Sequence, residues 1–270
     1  MFATIVNRLR GKPRVIPPEN RPALVLEPNI NVVDYVPDPV EDCFCGSGRF
    51  FKACCGSRES KRNPPYGVFV TENYLDATDA HELRNIADHC EGERLMVIDT
   101  HSKANEIQLV EDERRVSDRV VLGPYQRRLN QIVENAFREL TQYHIDCKLQ
   151  WYEPAQLLRY TEGGFYVRHA DSENMNPDLR TWTKTIDRDL SLLIYLNDDF
   201  SGGDLYFEKF NYRLRPKAGM AVLFPSDNRF MHEAQTITAG QRYAIVSWAA
   251  VRGVTKLSEK PPEGAIYFDD

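Results

Sequence analysis

The chain has 270 residues, 42% of them hydrophobic and 11% aromatic, enough apolar material for a large buried core. Its formal charge of −6 argues against a general polyanion-binding role, so nucleic acid is not an expected partner. No apolar run approaches the roughly 18 residues that a membrane-crossing helix needs, so no membrane role is expected.

The first residues, "MFATIVNRLRGKPRV", place an apolar patch ahead of the basic residues, the reverse of a secretory signal. Residues 1–42 hold seven prolines and little periodicity, as in "PRVIPPENRPALVLEPN", and read as an extended arm. Four of the six cysteines then crowd into residues 43–55, while Cys90 and Cys147 stand apart. One local thiolate cluster fits a reducing compartment better than a secreted disulfide scaffold, so a cytoplasmic location is expected.

The cluster runs Cys43-x-Cys45, eight residues, then Cys54-Cys55, around the loop "GSGRFFKA". Zinc takes four such ligands tetrahedrally, and Gly46 and Gly48 permit the tight turn that brings them together. Disulfides within so short a span would be strained. The segment resembles the SEC-C motif, a small zinc-binding module. That resemblance implies a structural Zn(II) held by Cys43, Cys45, Cys54 and Cys55, with contact to a protein partner as a further role.

A polar linker, "SRESKRNPP", leads to regular elements from Tyr66 onward. "YGVFVTENYL" reads as a short strand, and "DATDAHELRNIADHC" as a helix capped near Asp76 or Thr78. "GPYQRRLNQIVENAFRELTQYH" predicts a second amphipathic helix, with Leu129, Ile132, Val133, Ala136, Phe137 and Leu140 on its buried face. Past residue 148 the helical period gives way to about eight short strands, separated by turns such as "NDDFSGG" and "PKAG". The expected class is α+β: a β-sandwich or jelly roll with the helices packed on one sheet. Residues 253–270 read as an irregular tail.

Within "GFYVRHADSE", His169 and Asp171 are two apart, so on a strand they face the same side. Alone, that pair reads as a surface ion pair. His232, after "PSDNRFM", supplies a second imidazole, and two imidazoles with one carboxylate leave three open positions on an octahedral ion, the donor set of non-haem Fe(II). Ten positions later Arg242 opens "RYAIVSW", sharing a strand face with Ala244, Val246 and Trp248. A guanidinium set among apolar neighbours suits bidentate capture of a carboxylate.

Together, "LLRYTEGGFYVRHAD", "RDLSLLIYLNDDFSGGDLYF", "PKAGMAVLFPSD" and "RYAIVSWAAV" resemble the Fe(II)/2-oxoglutarate oxygenases, and within them the prolyl 4-hydroxylase-like branch, over about residues 66–252. The resemblance implies a double-stranded β-helix preceded by a small zinc knuckle, and an enzyme using Fe(II), 2-oxoglutarate, dioxygen and ascorbate. It implies that His169, Asp171 and His232 hold the iron and that Arg242 binds the distal carboxylate of 2-oxoglutarate with help from Tyr195. Tyr160 matches a pocket tyrosine, although a core tyrosine with a satisfied hydroxyl reads equally well there. Leu205, Val222 and Trp248 would form apolar walls. The implied reaction is hydroxylation, with a prolyl residue of a protein as substrate and succinate and CO2 released. Another residue or a free amino acid as substrate, a non-catalytic adaptor on a degenerate oxygenase fold, and a zinc hydrolase are the rival readings. "SENMNPDLRTWTKTIDRD" is the expected lid.

Overall fold

The computed structural model describes residues 40, 43, 49–54, 63–65, 67–95, 97–98, 109–110, 114–145, 147–176 and 181–269. Cys45, Cys55, His101 and nearly all of the proline-rich arm lie outside the described residues.

Two antiparallel sheets face each other. The larger runs in the order Phe69–Thr71, Ala221–Pro225, Leu190–Tyr195, Arg242–Val251, Gln156–Tyr160, Asp118–Val120 and Gly92–Arg94. Leu149–Tyr152 pairs with the far end of the long strand Arg242–Val251, beyond Gln156–Tyr160. The smaller sheet runs Tyr212–Leu214, Leu205–Phe207, His232–Ala234, Phe165–His169 and Arg115–Val116.

The strand period of two sorts each central strand into two faces. Leu190, Leu192 and Ile194, with Tyr243, Ile245, Ala249 and Val251, join one core cluster with the helices. Their alternates Tyr195, Ala244 and Val246 turn to the space between the sheets. The helices α1 (Ala77–Asp88) and α2 (Gln126–His144) cover the first face, as expected. Leu129, Val133, Ala136 and Phe137 of α2 are fully buried, so truncating Leu129 to alanine would cost roughly 2–5 kcal/mol. Asp76 caps α1 by accepting from the Asp79 amide at 2.8 Å, as its sequence position suggested.

The segment after residue 252 is irregular along most of its length but docked against the domain. Ile266–Tyr267 adds a strand to Leu149–Tyr152, and Phe268 is buried edge-on against Phe137 at 6.3 Å. Two buried acids hold the stretch before it: Asp187 accepts from the Leu257 and Ser258 amides, and Asp189 from Lys256 Nζ at 2.7 Å. Its prolines and glycines concealed this, because the docking depends on distant partners, the acids 67 to 71 residues upstream and the strand Leu149–Tyr152 further still.

The expected lid begins as a hairpin, Glu173–Asn176 paired with Thr181–Lys184. Asn228 donates from both its amide and its side chain to Glu173 Oε2, at 2.8 and 2.7 Å, so the hairpin is stitched to the loop that precedes His232.

Candidate metal centre and co-substrate pocket

His169 ends the strand Phe165–His169 and His232 begins His232–Ala234, and the two residues are register partners. Their rings lie 4.4 Å apart, centroid to centroid. Asp171 completes the group: its Oδ1 is 3.4 Å from His169 Nε2 and its Oδ2 is 3.8 Å from His232 Nε2. One candidate ligand atom from each residue can be chosen so that all lie within 4.8 Å of one another.

Each imidazole is oriented by its own strand. His169 Nδ1 lies 2.9 Å from the Val167 carbonyl and His232 Nδ1 lies 3.1 Å from the Phe230 carbonyl. A carbonyl only accepts, so both Nδ1 atoms carry the proton and both Nε2 lone pairs are free for a metal. Tyr166 stacks on His169 at 3.6 Å, and Phe224 meets His232 edge-on at 4.8 Å. Ser191 Oγ donates to Asp171 Oδ2 at 2.7 Å and sits 2.8 Å from Ser226 Oγ. The Ser226 carbonyl in turn accepts from the Asp171 and Ser172 amides, both at 3.0 Å.

Burial alone would raise the Asp171 carboxyl pKa, but His232, His169 and the Ser191 hydrogen bond outweigh it and hold the group well below the usual carboxylate range. Burial, reinforced by His169, pushes the His232 imidazole down to about 4. At neutral pH the set presents an ionised carboxylate and a neutral His232, the protonation states a divalent cation requires.

Across the cavity, Arg242 is the register partner of Tyr160, and its guanidinium lies 4.1 Å from that ring and 5.9 Å from the Tyr195 ring. Its Nη1 donates to the Gly203 carbonyl at 2.7 Å. Gly203 has φ +69°, and a Cβ there would meet Ile237 Cδ1 at 2.3 Å, so only glycine places that carbonyl without strain. Arg242 Nε and the Tyr195 hydroxyl are both buried without a hydrogen-bond partner. A buried donor left unpaired costs about 1–3 kcal/mol, and two lining one cavity fit a carboxylate ligand. Burial also raises the Tyr195 pKa, so the hydroxyl keeps its proton to donate.

The structure thus brings together His169, Asp171, His232, Arg242, Tyr195, Tyr160, Leu205 and Trp248 as lining residues of one cavity. Val222 instead belongs to the core around Phe207 and Phe224 and is not among the lining residues. Ser191, Tyr166 and Arg115 were not singled out by sequence. Ser191 had a signal: in "LSLLIY" it shares strand parity with Tyr195, a polar residue on the cavity face. Arg115 lies in "ERRVSDRVVL", a stretch that also resembles the family, and Tyr166 had no signal. Cys43 and Cys54 are buried and share a core cluster with Phe51, Phe207 and Phe230. The other two expected zinc ligands fall outside the described residues.

Comparison with known proteins agrees with this geometry. Residues 155–250 match the family model described as the 2OG-Fe(II) oxygenase superfamily. Human prolyl 3-hydroxylase 3 is 39% identical over 89 residues, 30% of this chain but only 12% of that protein. A PKHD-type hydroxylase of Psychrobacter sp. (strain PRwf-1) is 28% identical over 191 residues, covering 67% of this chain and 68% of its own. A prolyl hydroxylase from Trichoplax adhaerens, solved with a hypoxia inducible factor oxygen degradation domain peptide fragment, superposes with a TM-score of 0.52 at 20% identity, over 68% of this chain and 83% of that one. The likeness shows a common jelly-roll fold. The stretch that is similar to the 2OG-Fe(II) oxygenase superfamily contains His169, Asp171, His232 and Arg242. Among the described residues, no helix is long and apolar enough to cross a membrane.

Proposed function

We propose that the protein is an Fe(II)- and 2-oxoglutarate-dependent dioxygenase that hydroxylates a prolyl residue of a protein substrate, releasing succinate and CO2. The observation that carries this reading is the pairing, in one cavity, of a His-Asp-His donor set with two unsatisfied donors, Arg242 Nε and the Tyr195 hydroxyl. Bound there, iron supplies the oxidative chemistry, coupling decarboxylation of the co-substrate to hydroxylation of the substrate. His169 Nε2, His232 Nε2 and an Asp171 oxygen would hold the metal.

Arg242 and Tyr195 grip the distal carboxylate of 2-oxoglutarate, and Tyr160 backs the guanidinium. Leu205, Val246 and Trp248 keep the remaining wall apolar and limit water near the metal. The prolyl assignment is supported by relatives and a fold neighbour that are named prolyl hydroxylases. The oxygenase unit spans residues 66–252 and is completed by the docked segment up to Phe268. Cys43, Cys45, Cys54 and Cys55 would hold a structural zinc in a module at residues 43–57, a surface for a protein partner. Ascorbate sustains the iron as Fe(II), and the protein works in the cytoplasm.

Succinate release by the purified protein with Fe(II) and 2-oxoglutarate tests the chemistry. Mass spectrometry of the cellular proteome, with and without the protein, tests the substrate through +16 Da shifts at proline. Succinate release without any such shift at proline would leave the oxygenase and remove the prolyl assignment.

A further inference from the structure

Besides Arg242, two arginines lie over aromatic rings that line the cavity, and of these two only Arg188 has a counter-charge. Arg188 sits 3.7 Å from the Trp248 ring centroid, and Glu153 accepts from two of its nitrogens, Nη2 at 2.7 Å. Arg115 comes from the opposite sheet, where it pairs in register with Tyr166. Its guanidinium lies 4.7 Å from the Tyr166 ring, and that ring stacks on the metal-side His169. Arg115 Nε donates to Ser117 Oγ at 2.9 Å, and among the described residues no carboxylate pairs with its two terminal nitrogens. Arg115 itself lines the cavity.

A half-buried guanidinium has lost part of its hydration, and here no protein anion compensates. Stacking on Tyr166 and the Ser117 bond fix its plane, so its free edge is pre-organised to receive two parallel hydrogen bonds. The chain's net charge is negative, so this cation is a local feature rather than part of a general anion-attracting field.

We propose that Arg115 is a specificity residue that binds a carboxylate of the substrate close to the carbon being hydroxylated. The preferred substrate is then a prolyl residue flanked by an acidic side chain, an inference that rests on the prolyl hydroxylase reading above. The same chemistry is present in the α-carboxylate of a free amino acid, and the test separates the two sources.

The experiment uses the full chain with Fe(II) and 2-oxoglutarate, and four probes: end-blocked peptides with proline flanked by Glu, Gln or Lys, and free proline. Product is read as +16 Da. Wild type is expected to prefer the Glu peptide over the Gln peptide by on the order of tenfold or more in kcat/KM, mainly through KM. Arg115→Gln should abolish that preference, and Arg115→Glu should transfer it to the Lys peptide. A merely structural role would not produce such a reversal. Equal use of the three peptides by wild type, or a Glu preference that survives in Arg115→Glu, overturns the proposal and leaves the prolyl reading standing. Preference for free proline, lost in Arg115→Gln, keeps the carboxylate site and removes the protein substrate. Hydroxylation of none of the probes by wild type overturns both.

Discussion

The two sheets equip the cavity in opposite ways. On the smaller sheet, the polar atoms behind the candidate metal ligands are already engaged: each histidine Nδ1 bonds a carbonyl, and Ser191 reaches across from the larger sheet to hold Asp171. On the larger sheet, Arg242 Nε and the Tyr195 hydroxyl are buried and unpaired. On the proposed reading, the metal end would be built before its ligand arrives, whereas the carboxylate end would be completed by its ligand. Pre-organisation favours tight, specific metal binding, and unsatisfied donors favour a molecule that must be exchanged at every turnover.

The sharpest way to break this contrast is to remove a metal ligand. Asp171→Ala and His232→Ala should each reduce succinate release to background, measured with and without substrate. Wild-type turnover in either variant would falsify the metal assignment. At the other end, Arg242→Met should raise KM for 2-oxoglutarate on the order of a hundredfold or more, because a charge-assisted bidentate contact is lost. The same variant removes the unpaired Nε but also the Nη1 donor to the Gly203 carbonyl, two opposing effects, so the ligand-free protein should melt close to wild type. Thermal shift checks both halves: 2-oxoglutarate with a redox-inert metal should stabilise wild type but not Arg242→Met.

A smaller effect is expected from Ser191→Ala, which loosens Asp171 without touching the metal. Metal affinity should fall roughly 10- to 100-fold, read by titration of Co(II) absorbance, with little change in KM for 2-oxoglutarate at saturating metal. The smallest concerns pH. His232 titrates near 4 in the folded protein, below its ordinary 6.5, so the folded state binds fewer protons between those values. Stability of the metal-free protein should therefore fall as pH drops from 6.5 to 4, by at most roughly 3 kcal/mol. Asp171, held low in the fold, adds a loss of the same sign at still lower pH. Urea unfolding at pH 7.5, 5.5 and 4.5 measures it, and a midpoint independent of pH would show that His232 is not buried as neutral imidazole.

Much of this was legible in the chain because strands write their faces in alternation. Arg242 with Ala244, Val246 and Trp248 could be assigned to one side from parity alone, whereas Asp171 lies in a bend beyond the strand that ends at His169 and reaches it outside strand parity. The buried stripe of α2 was legible for the same kind of reason at a period of 3.6. The segment after residue 252 was not, since its strand exists only where Leu149–Tyr152 offers an edge and Asp187 and Asp189 offer acceptors.

Sequence alone determined which residue types were available and which face each would take, because both follow from local geometry. That was enough to nominate the donor set and the carboxylate anchor. Only the tertiary structure decided what each polar group meets there: that Ser191 serves Asp171, that Glu153 neutralises Arg188, and that Arg115 is left without an acid. The two pairings join residues 20 and 35 positions apart, and hydrogen bonding depends on distances that no pattern along the chain records.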